Sequence, residues 1–436
     1  YLIDVDRVGD ELVIKHLGEF LSSFCLLGHN LKFDIKYLVA QFGIIPSAVI
    51  DTMYIGRYMF AGNTTKNHDL ASEYDNFFGA RLFGWFKDMT GMDYKDFKAN
   101  KKDQQQSDWG VKNLLAEQLE YAAGDVKYLP YLYRAMEEYI QDFIKKHKKK
   151  GVLRNLAIIF QNVIEVSLSE LAGMGVDLEY YEEEIEALID TEIETLEAEL
   201  VRVPELWVMK KKDKCPKTNP HTVVWSQFAK LTASGRTDSK TKEYHEGDLE
   251  IALAQLGIKT PNCKEETLQE LVALGDLTEY QKDIMGKVMR YREARSLRSK
   301  FGLEKMSLYI YEGRIYCYWN ILGTRTSRMS SNKPNMQQYP SKGIILGRVD
   351  LKASTFFRKA IVAHPKIVAG TLQNFKLTIA DFSNQEMRVT ADYAGDYTLL
   401  KAFEDDVDLH ALTAKDILGL SELPIEGSLE RAVGKE

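Results

Sequence analysis

The chain has 436 residues, of which 45% are hydrophobic, and a formal net charge of −7. This length predicts roughly two to four domains, and no uninterrupted apolar run reaches the ~18 residues of a membrane span. Its 4 cysteines are scattered without a Cys-x-x-Cys pair, which favours reduced thiols and excludes a disulfide scaffold.

The first 145 residues are predicted to form a mixed α/β domain. Phe24–Leu27 is a short apolar run typical of a strand, and the polar residues after it lead into a helix. That helix places Asn30 and Asp34 four residues apart, beside an apolar face. A single pair of this kind is common, and on its own it also fits solvated helix residues.

A second helix is predicted from near Asp108 toward Tyr139. It contains YAAGDVKYL, which places Tyr121 and Asp125 four residues apart. An Asn-x-x-x-Asp pair followed by a Tyr-x-x-x-Asp pair is a more specific pattern than either pair alone.

The middle of the chain is predicted to be mainly helical. A lysine-rich connector at 145–151 precedes a long amphipathic helix over 152–200, which is interrupted at Gly173–Asp177. Residues 203–247 are polar and are predicted to be a lobe tip or an insertion. Helical periodicity returns over Leu249–Lys300, as in a helical lobe.

Strand signals are prominent in the last third. From Tyr309, two apolar runs are joined at Glu312-Gly313, which predicts a hairpin. Further on, an apolar run is predicted to form a buried strand ending in Asp381, and a helix with Ala391 on its buried face follows. Because a buried acid is costly unless a cation meets it, Asp381 is a predicted ligand of Mg²⁺.

Three sequence blocks, in this order, resemble the palm of DNA polymerase family A. They are GTRTSRMSSNKPNMQQYP from Gly323, TIADFSNQEMRVTADYAGD from Thr378 and DLHALTA from Asp408. The last residues, RAVGKE, resemble the start of the family's Arg-x-x-x-Lys helix, with Arg431 and Lys435 at that spacing.

The resemblance implies roles for three sets of residues. The implied metal ligands are Asp381 and the backbone carbonyl of Phe382, with Lys435 as a catalytic proton donor. The residues implied to bind the incoming nucleotide are Glu386, His410, Arg431 and Lys435. The residues implied to contact primer and template, without reading sequence, are Arg328, Asn335, Gln337 and Gln338. The match departs from the common pattern at Ser327, where glycine is usual, and at Gln338-Tyr339.

Two alternatives remain open around Glu386. In the family this glutamate lies under the sugar and excludes a 2′-hydroxyl, but Ser383 to Glu386 also fits a capping box, with Ser383 at the N-cap and Glu386 at N3. Both roles can coexist. Arg388, four residues before Asp392, is predicted to be its structural ion-pair partner.

The N-terminal pairs resemble the second and third motifs of the DEDDy 3′–5′ exonucleases. The residues implied to form this nuclease site are Asn30, Asp34, Tyr121 and Asp125, with the aspartates binding Mg²⁺ and the tyrosine placing the attacking water. The family's first motif is not evident. Asp4 and Asp6 have its spacing, but Asp6 lies only 28 residues before Asp34, so YLIDVD is predicted to be a later strand of the sheet.

The predicted fold is α/β (α+β), that of a right-hand polymerase with an RNase H-like nuclease domain. The expected domains are the exonuclease-like domain at 1–145, the helical connector and thumb at 146–305, and the antiparallel-sheet palm with the start of the fingers at 306–436. The expected function is template-directed DNA synthesis, with two Mg²⁺ in the intact site. The alternative is a DEDD-type exonuclease with a non-catalytic DNA-binding lobe.

The resemblance also gives expectations about partners and completeness. Primer-template DNA and dNTPs are the expected ligands, processivity or replisome factors are candidate partners, and no membrane is expected. Basic runs at Ile144–Lys150, Lys210–Lys214 and Tyr291–Lys300 favour phosphate contacts. The sequence is expected to be a fragment that does not extend primers alone, from a bacterial or phage-infected cytoplasm or an organelle.

Overall fold

A computed structural model describes residues 3–63, 66–78, 88, 108, 111, 114–212, 223–232, 236–237, 244–245, 247–341, 343–363, 366–368, 371–373 and 376–425. The chain divides into two compact units, residues 1–375 and residues 376–436.

Helices surround a pair of parallel strands in the first part of the first unit. The strands are β1 (Cys25–Gly28) and β2 (Ala48–Asp51), paired in register from Cys25 with Ala48 to Gly28 with Asp51. The helices are α1 (Val5–Val8), α2 (Asp10–Val13), α3 (Glu19–Ser23), α4 (Lys32–Phe42), α5 (Thr52–Met59), α6 (Leu70–Phe78), α7 (Ala116–Lys127), α8 (Leu129–His147) and α9 (Val152–Ala172).

Two expectations for this region are wrong in detail. Asp4 and Asp6 do not lie on a strand, because the Asp4 side chain caps α1 by accepting the Arg7 N–H and pairing with the Arg7 guanidinium. The helix predicted from Asp108 toward Tyr139 instead begins at Ala116 and breaks between α7 and α8. The break precedes Pro130, whose ring suits the first turn of a new helix but not a helix interior.

The helix α9 packs against α4 and β2 and belongs to the core of this region. Among the described residues it is the helix that is long and apolar enough to cross a membrane, by length and composition alone. Core helices pass the same test, and Val163 and Ile164 of α9 are buried in this core.

The middle of the unit contains the predicted helices and short hairpins. Its elements are β3 (Met174–Val176), α10 (Leu178–Tyr180), α11 (Ala187–Leu200), β4 (Trp207–Lys212), β5 (Val223–Phe228), β6 (Arg236–Thr237), β7 (Tyr244–His245), α12 (Asp248–Gln255), α13 (Glu265–Leu274) and α14 (Glu279–Phe301). The predicted interruption at Gly173 is confirmed. Gly173 has φ +61°, and a Cβ there would lie 2.9 Å from the Tyr316 ring, so only glycine fits without strain.

The remainder of the first unit consists mainly of short antiparallel strands. The elements are α15 (Leu303–Ser307), β8 (Ile310–Tyr311), β9 (Arg314–Ile315), β10 (Tyr318–Asn320), β11 (Ser330–Asn332), β12 (Ile344–Ile345), β13 (Arg348–Lys352), α16 (Ala353–Phe356), β14 (Ile361–Val362), β15 (Lys366–Val368) and β16 (Thr371–Gln373). One sheet has the order β14-β3-β9-β8. The predicted hairpin at Glu312-Gly313 is confirmed, since Tyr311 pairs with Arg314 and both turn residues have positive φ.

The second unit contains α17 (Gln385–Ala394), α18 (Tyr397–Glu404) and α19 (Leu409–Leu418) around a small core of Ala391, Ala402, Phe403 and Leu409. The helix after Asp381 is confirmed, but the buried strand before it is not. Residues 376–382 are exposed and have no regular structure. A strand is stabilised by pairing with a neighbour, and no described segment pairs with this one.

Candidate functional site

Two of the predicted nuclease acids are brought close together. Asp34 lies in the first turn of α4 and Asp125 near the end of α7. Although the Asp34 side chain keeps solvent access, the protein packed around it raises its pKa, and the nearby Asp125 carboxylate raises it further. Because two like charges repel unless a cation lies between them, this pair is suited to bind a divalent metal ion.

Tyr121 lies one turn before Asp125 on α7, and its hydroxyl hydrogen-bonds to the Asp125 carboxylate. Burial and this carboxylate raise the pKa of Tyr121 to about 12, so the phenol remains protonated at neutral pH. A protonated phenol beside a carboxylate pair can orient a water molecule by hydrogen bonding.

Asn30 does not lie on the helix as predicted. It precedes α4 with φ +60°, a conformation that asparagine tolerates, and its N–H donates to Asp51 Oδ1 at 3.0 Å. Asp51, which the sequence analysis missed, also accepts the Leu31 N–H at 2.7 Å and the Met53 N–H at 2.9 Å. One buried carboxylate therefore fixes the turn before α4 and the start of α5. Asp51 could have been found from the sequence, because it ends an apolar run and precedes a threonine, a pattern typical of a strand end followed by a helix cap.

The described residues fit a metal site in part. Among them there is no cluster of three or more His, Cys, Asp or Glu side chains that could hold a metal ion. The Asp34–Asp125 pair supplies two carboxylates, which suit one divalent cation but not two held 3.5–4 Å apart, the spacing typical of two-metal sites.

A buried ion pair connects α4, the helix that carries Asp34, to β10, the strand before the loop that carries Arg328. Lys32, the first residue of α4, is 1% exposed and pairs with Glu170 of α9 at 2.6 Å. It also donates to the Trp319 carbonyl and lies 3.3 Å from the centre of the Tyr318 ring. Burial lowers the pKa of Lys32 to about 8, although Glu170 opposes that decrease.

Arg328 lies in a tight loop between β10 and β11. Its carbonyl accepts the N–H groups of Gly323 and Thr324 at 3.0 and 3.1 Å, and its own N–H donates to Thr324 Oγ1 at 2.9 Å. Ser327, where the family usually has glycine, has φ +63° and is therefore strained. The exposed Arg328 side chain is thus carried on a loop with its own hydrogen bonds.

Gln337, another residue predicted to contact DNA, hydrogen-bonds to this loop, and Asn335 hydrogen-bonds to Gln337. Asn335 Oδ1 accepts the Gln337 N–H at 3.2 Å, and Gln337 Nε2 donates to the Met329 carbonyl at 2.9 Å. Gln338 is exposed, whereas Tyr339 is buried and donates its hydroxyl to the Phe357 carbonyl at 3.0 Å. The packing of Tyr339 therefore explains why this position departs from the common family pattern.

In the second unit, Asp381 and Phe382 are both exposed. The predicted capping box is wrong, because the N-cap of α17 is Asn384 in a left-handed conformation, without a side-chain capping bond. Glu386 is consequently the second residue of the helix and not the third.

The predicted ion pair of Arg388 with Asp392 is also wrong. Arg388 instead donates to the Ser383 carbonyl at 3.1 Å and stacks on the Phe403 ring at 4.5 Å. The Arg388 guanidinium is thus held by a cation–π contact and a backbone carbonyl and not by a carboxylate.

His410 lies in the first turn of α19, which Asp408 caps by accepting the His410 and Ala411 N–H groups at 3.0 and 3.2 Å. The side chain of His410 is half-buried. Arg431 and Lys435 lie outside the described residues.

A pair of nearby carboxylates with a hydrogen-bonded tyrosine is the type of site that metal-assisted phosphoryl transfer uses. Residues 1–141 match the 3′-5′ exonuclease family model and residues 248–436 match that of DNA polymerase family A. The chain thus contains a region similar to DNA polymerase family A and, before it, a region similar to 3′-5′ exonucleases. Domains of both kinds generally use divalent metal ions.

Similar proteins agree with this assignment over the length of the chain. DNA polymerase I of Aquifex aeolicus is 28% identical over 99% of this chain and 63% of its own length. The DNA polymerase of Bacillus phage SP01 is 24% identical over 94% of this chain and 43% of its own. The chain thus spans less than two thirds of these relatives.

A solved structure shares the fold. It is the POL domain of Pol1 from M. smegmatis in complex with DNA primer-template and dNTP, with a TM-score of 0.62 and 17% sequence identity. The similarity covers 99% of this chain and 61% of that one. The predicted mixed helix-and-sheet polymerase fold is confirmed.

Proposed function

We propose that this chain contributes the exonuclease region and the primer- and nucleotide-binding region of a DNA-directed DNA polymerase. The reaction is template-directed transfer of nucleotides from dNTPs to a primer 3′-hydroxyl. The observation that carries the proposal is that one chain holds, in order, a region matching 3′-5′ exonucleases and a region matching DNA polymerase family A.

Mg²⁺ is the proposed metal at the nuclease centre and at the polymerase centre. Asp34 and Asp125 would hold it at the nuclease centre, and Asp381 with the Phe382 carbonyl at the polymerase centre. When bound, Mg²⁺ stabilises the charge that develops on the transferred phosphoryl group. The close approach of Asp34 and Asp125 supports the first of these sites.

The roles of the remaining site residues are proposed from their resemblance to the family's motifs. Arg328, Asn335, Gln337 and Gln338 contact the primer and template, and Glu386 excludes a 2′-hydroxyl. His410, Arg431 and Lys435 bind the triphosphate. The exposed position of Arg328 on a hydrogen-bonded loop supports its part in this assignment.

The test is primer extension by the natural protein. Asp381→Ala is expected to lower the rate of dNTP incorporation by orders of magnitude, because it removes a metal ligand. Asp416→Ala, an exposed acid on α19, is the matched control and should leave the rate unchanged. Extension by Asp381→Ala within about tenfold of wild type would mean that Asp381 holds no catalytic metal.

A 3′–5′ nuclease with a DNA-binding lobe is the second candidate. The observation that favours it is that Asp34, Asp125 and Tyr121 are assembled, whereas Asp381 lies on an exposed segment. Hydrolysis of single-stranded DNA that Asp34→Ala abolishes and Asp142→Ala spares, in a protein that never extends primers, would favour this candidate over the first.

Partners and compartment follow from the proposed reaction. We propose a bacterial or phage-infected cytoplasm or an organelle as its location, and a processivity factor as an added partner. Co-purification from the native source, with fractionation of its compartments, tests both.

A further inference from the structure

A basic cavity lies between the nuclease region and the primer-type loop. Its volume is about 380 Å³, and its basic lining side chains are the cations of Arg57, Lys66 and Arg325 and the imidazole of His68. This volume falls within the range of about 300–1,000 Å³ that is typical of ligand sites. Among its lining residues that the structure describes, none is acidic.

The three cations are not neutralised by an ion pair with a described residue. Within the described ranges, Arg57, Lys66 and Arg325 form no ion pair. His68 differs, since its Nδ1 lies 2.6 Å from Glu73 Oε1, behind the cavity. Like charges held together in one concave site repel one another, so an anion that enters the cavity is stabilised by all of them.

Aromatic rings fix two of the cations in place. Arg57, at the end of α5, lies 5.6 Å from the Tyr54 ring centre, and Lys66 lies 5.3 Å from that of Phe60. These contacts limit how far the head groups can move apart. The opposite wall approaches closely, since a Cβ on Gly62 would lie 3.8 Å from the Arg325 carbonyl oxygen.

The location of the cavity identifies the kind of anion. Arg325 and Ser327 of its wall belong to the loop that carries Arg328, the proposed primer contact. On the other side, His68 pairs with Glu73 of α6, and α6 packs against α8, which follows the helix that carries Asp125 of the nuclease pair. A strand that runs from the primer loop toward the nuclease acids would pass this cavity.

We propose that this cavity binds a backbone phosphate of a DNA strand between the primer loop and the nuclease site. The proposal rests on the proposed function and adds a positioning site to it. The hydroxyl of Ser327 and the amide of Asn320 supply neutral donors beside the cations. A phosphodiester is recognised by this combination without sequence preference.

The test uses the 436-residue chain and a labelled primer-template, with binding measured by fluorescence anisotropy in EDTA over a range of salt concentrations. The triple variant Arg57→Gln, Lys66→Gln and Arg325→Gln should weaken binding by about tenfold or more and lower the salt slope by about 1 for each phosphate that the protein no longer neutralises. The control, Lys15→Gln, Arg134→Gln and Arg154→Gln, removes the same charges from exposed positions outside the cavity.

Two further variants separate folding from binding. Arg325→Gln alone changes an exposed side chain and should retain the melting temperature while weakening binding. Arg57→Lys with Arg325→Lys keeps the charge and should retain the salt slope. Loss of the slope in this conservative pair would contradict an electrostatic phosphate site.

The outcomes distinguish this proposal from the proposed function. Equal affinity and salt slope for the triple variant and the control would overturn the cavity and leave the polymerase assignment in place. Absence of primer-template binding by the wild-type chain would overturn both. If calorimetry shows pyrophosphate or inorganic phosphate binding that the triple variant loses while DNA affinity is unchanged, the site takes a free anion and the DNA assignment is wrong.

Discussion

Replacing Asp51 by alanine is expected to loosen the start of α4, the helix that carries Asp34. The Asp51 carboxylate is fully buried and accepts the N–H groups of Asn30, Leu31 and Met53 at 2.7–3.0 Å. In the alanine variant these three donors lose their acceptor in a site from which water is excluded.

The magnitude follows from two opposing effects. A buried N–H without an acceptor costs about 1–3 kcal/mol, so three of them cost about 3–9 kcal/mol. Burial raises the pKa of Asp51 to about 6, which is equivalent to about 3 kcal/mol that the ionised carboxylate costs at neutral pH and that alanine removes. The difference is about 0–6 kcal/mol, and we expect a net loss near its middle, about 3 kcal/mol at pH 7.

Hydrogen exchange of the amides of α4, followed by mass spectrometry, measures the free energy of opening this region. Asp177→Ala is the control, because Asp177 caps α10 through one bond to the Tyr180 N–H at an exposed position and should cost about 1 kcal/mol. A loss at Asp51→Ala no greater than at Asp177→Ala would refute the assigned hydrogen bonds.

The pH dependence of stability provides a second test on the same residue. Because the folded pKa is raised, the native state still holds the Asp51 proton between about pH 4 and 6, where the unfolded state has lost it. The stability contributed by this group is therefore present at low pH and is lost as pH rises through about 6. The stability of Asp51→Asn should lack this part of the dependence on pH. An identical pH dependence in the variant and the wild type would contradict the raised pKa.

Three other substitutions test local features. Ser327→Gly should stabilise the first unit by about 0.5–1 kcal/mol in thermal unfolding, since glycine relieves the positive φ, and no increase would argue against strain there. Glu170→Gln should cost about 3–5 kcal/mol in urea unfolding, because it leaves the buried Lys32 amine without its ion-pair partner, whereas Glu165→Gln on the exposed face of α9 should be nearly neutral. Asp125→Asn should lower the pKa of Asp34, as measured by carboxyl NMR titration, and an unchanged pKa would place the two carboxylates apart.

Features that depend on nearby residues could be predicted from the sequence. The Glu312-Gly313 hairpin depends on two turn residues, and the Tyr121–Asp125 pair on the spacing of one helix turn. The strand expected before Asp381 was wrong because a strand depends on a neighbour as well as on its own residues. The strand expected at Asp4 was wrong for a different reason, since a capping bond to Arg7 favours a helix there.

Contacts between residues far apart in the chain were the other features that the sequence could not predict. Asp51 bonds to N–H groups 20 and 21 residues earlier, and no local pattern indicates which donors it meets. Lys32 looks like a surface residue in the sequence, yet its partner Glu170 lies 138 residues away. A buried lysine is stable only with such a partner, so its burial can be inferred only once the fold is known.

The distribution of charge explains why the basic runs were poor guides to a phosphate site. The run over Tyr291–Lys300 lies on α14, which packs against the acidic α11, and Arg298 pairs with Asp190 at 3.0 Å. The acidic helix thus neutralises part of the run that was predicted to contact phosphate. The cavity cations come from separate segments, each with little local charge, and only the fold brings them together. A net charge of −7 is therefore compatible with a local anion site, because binding depends on the cations that remain unpaired in one place and not on the sum over the chain.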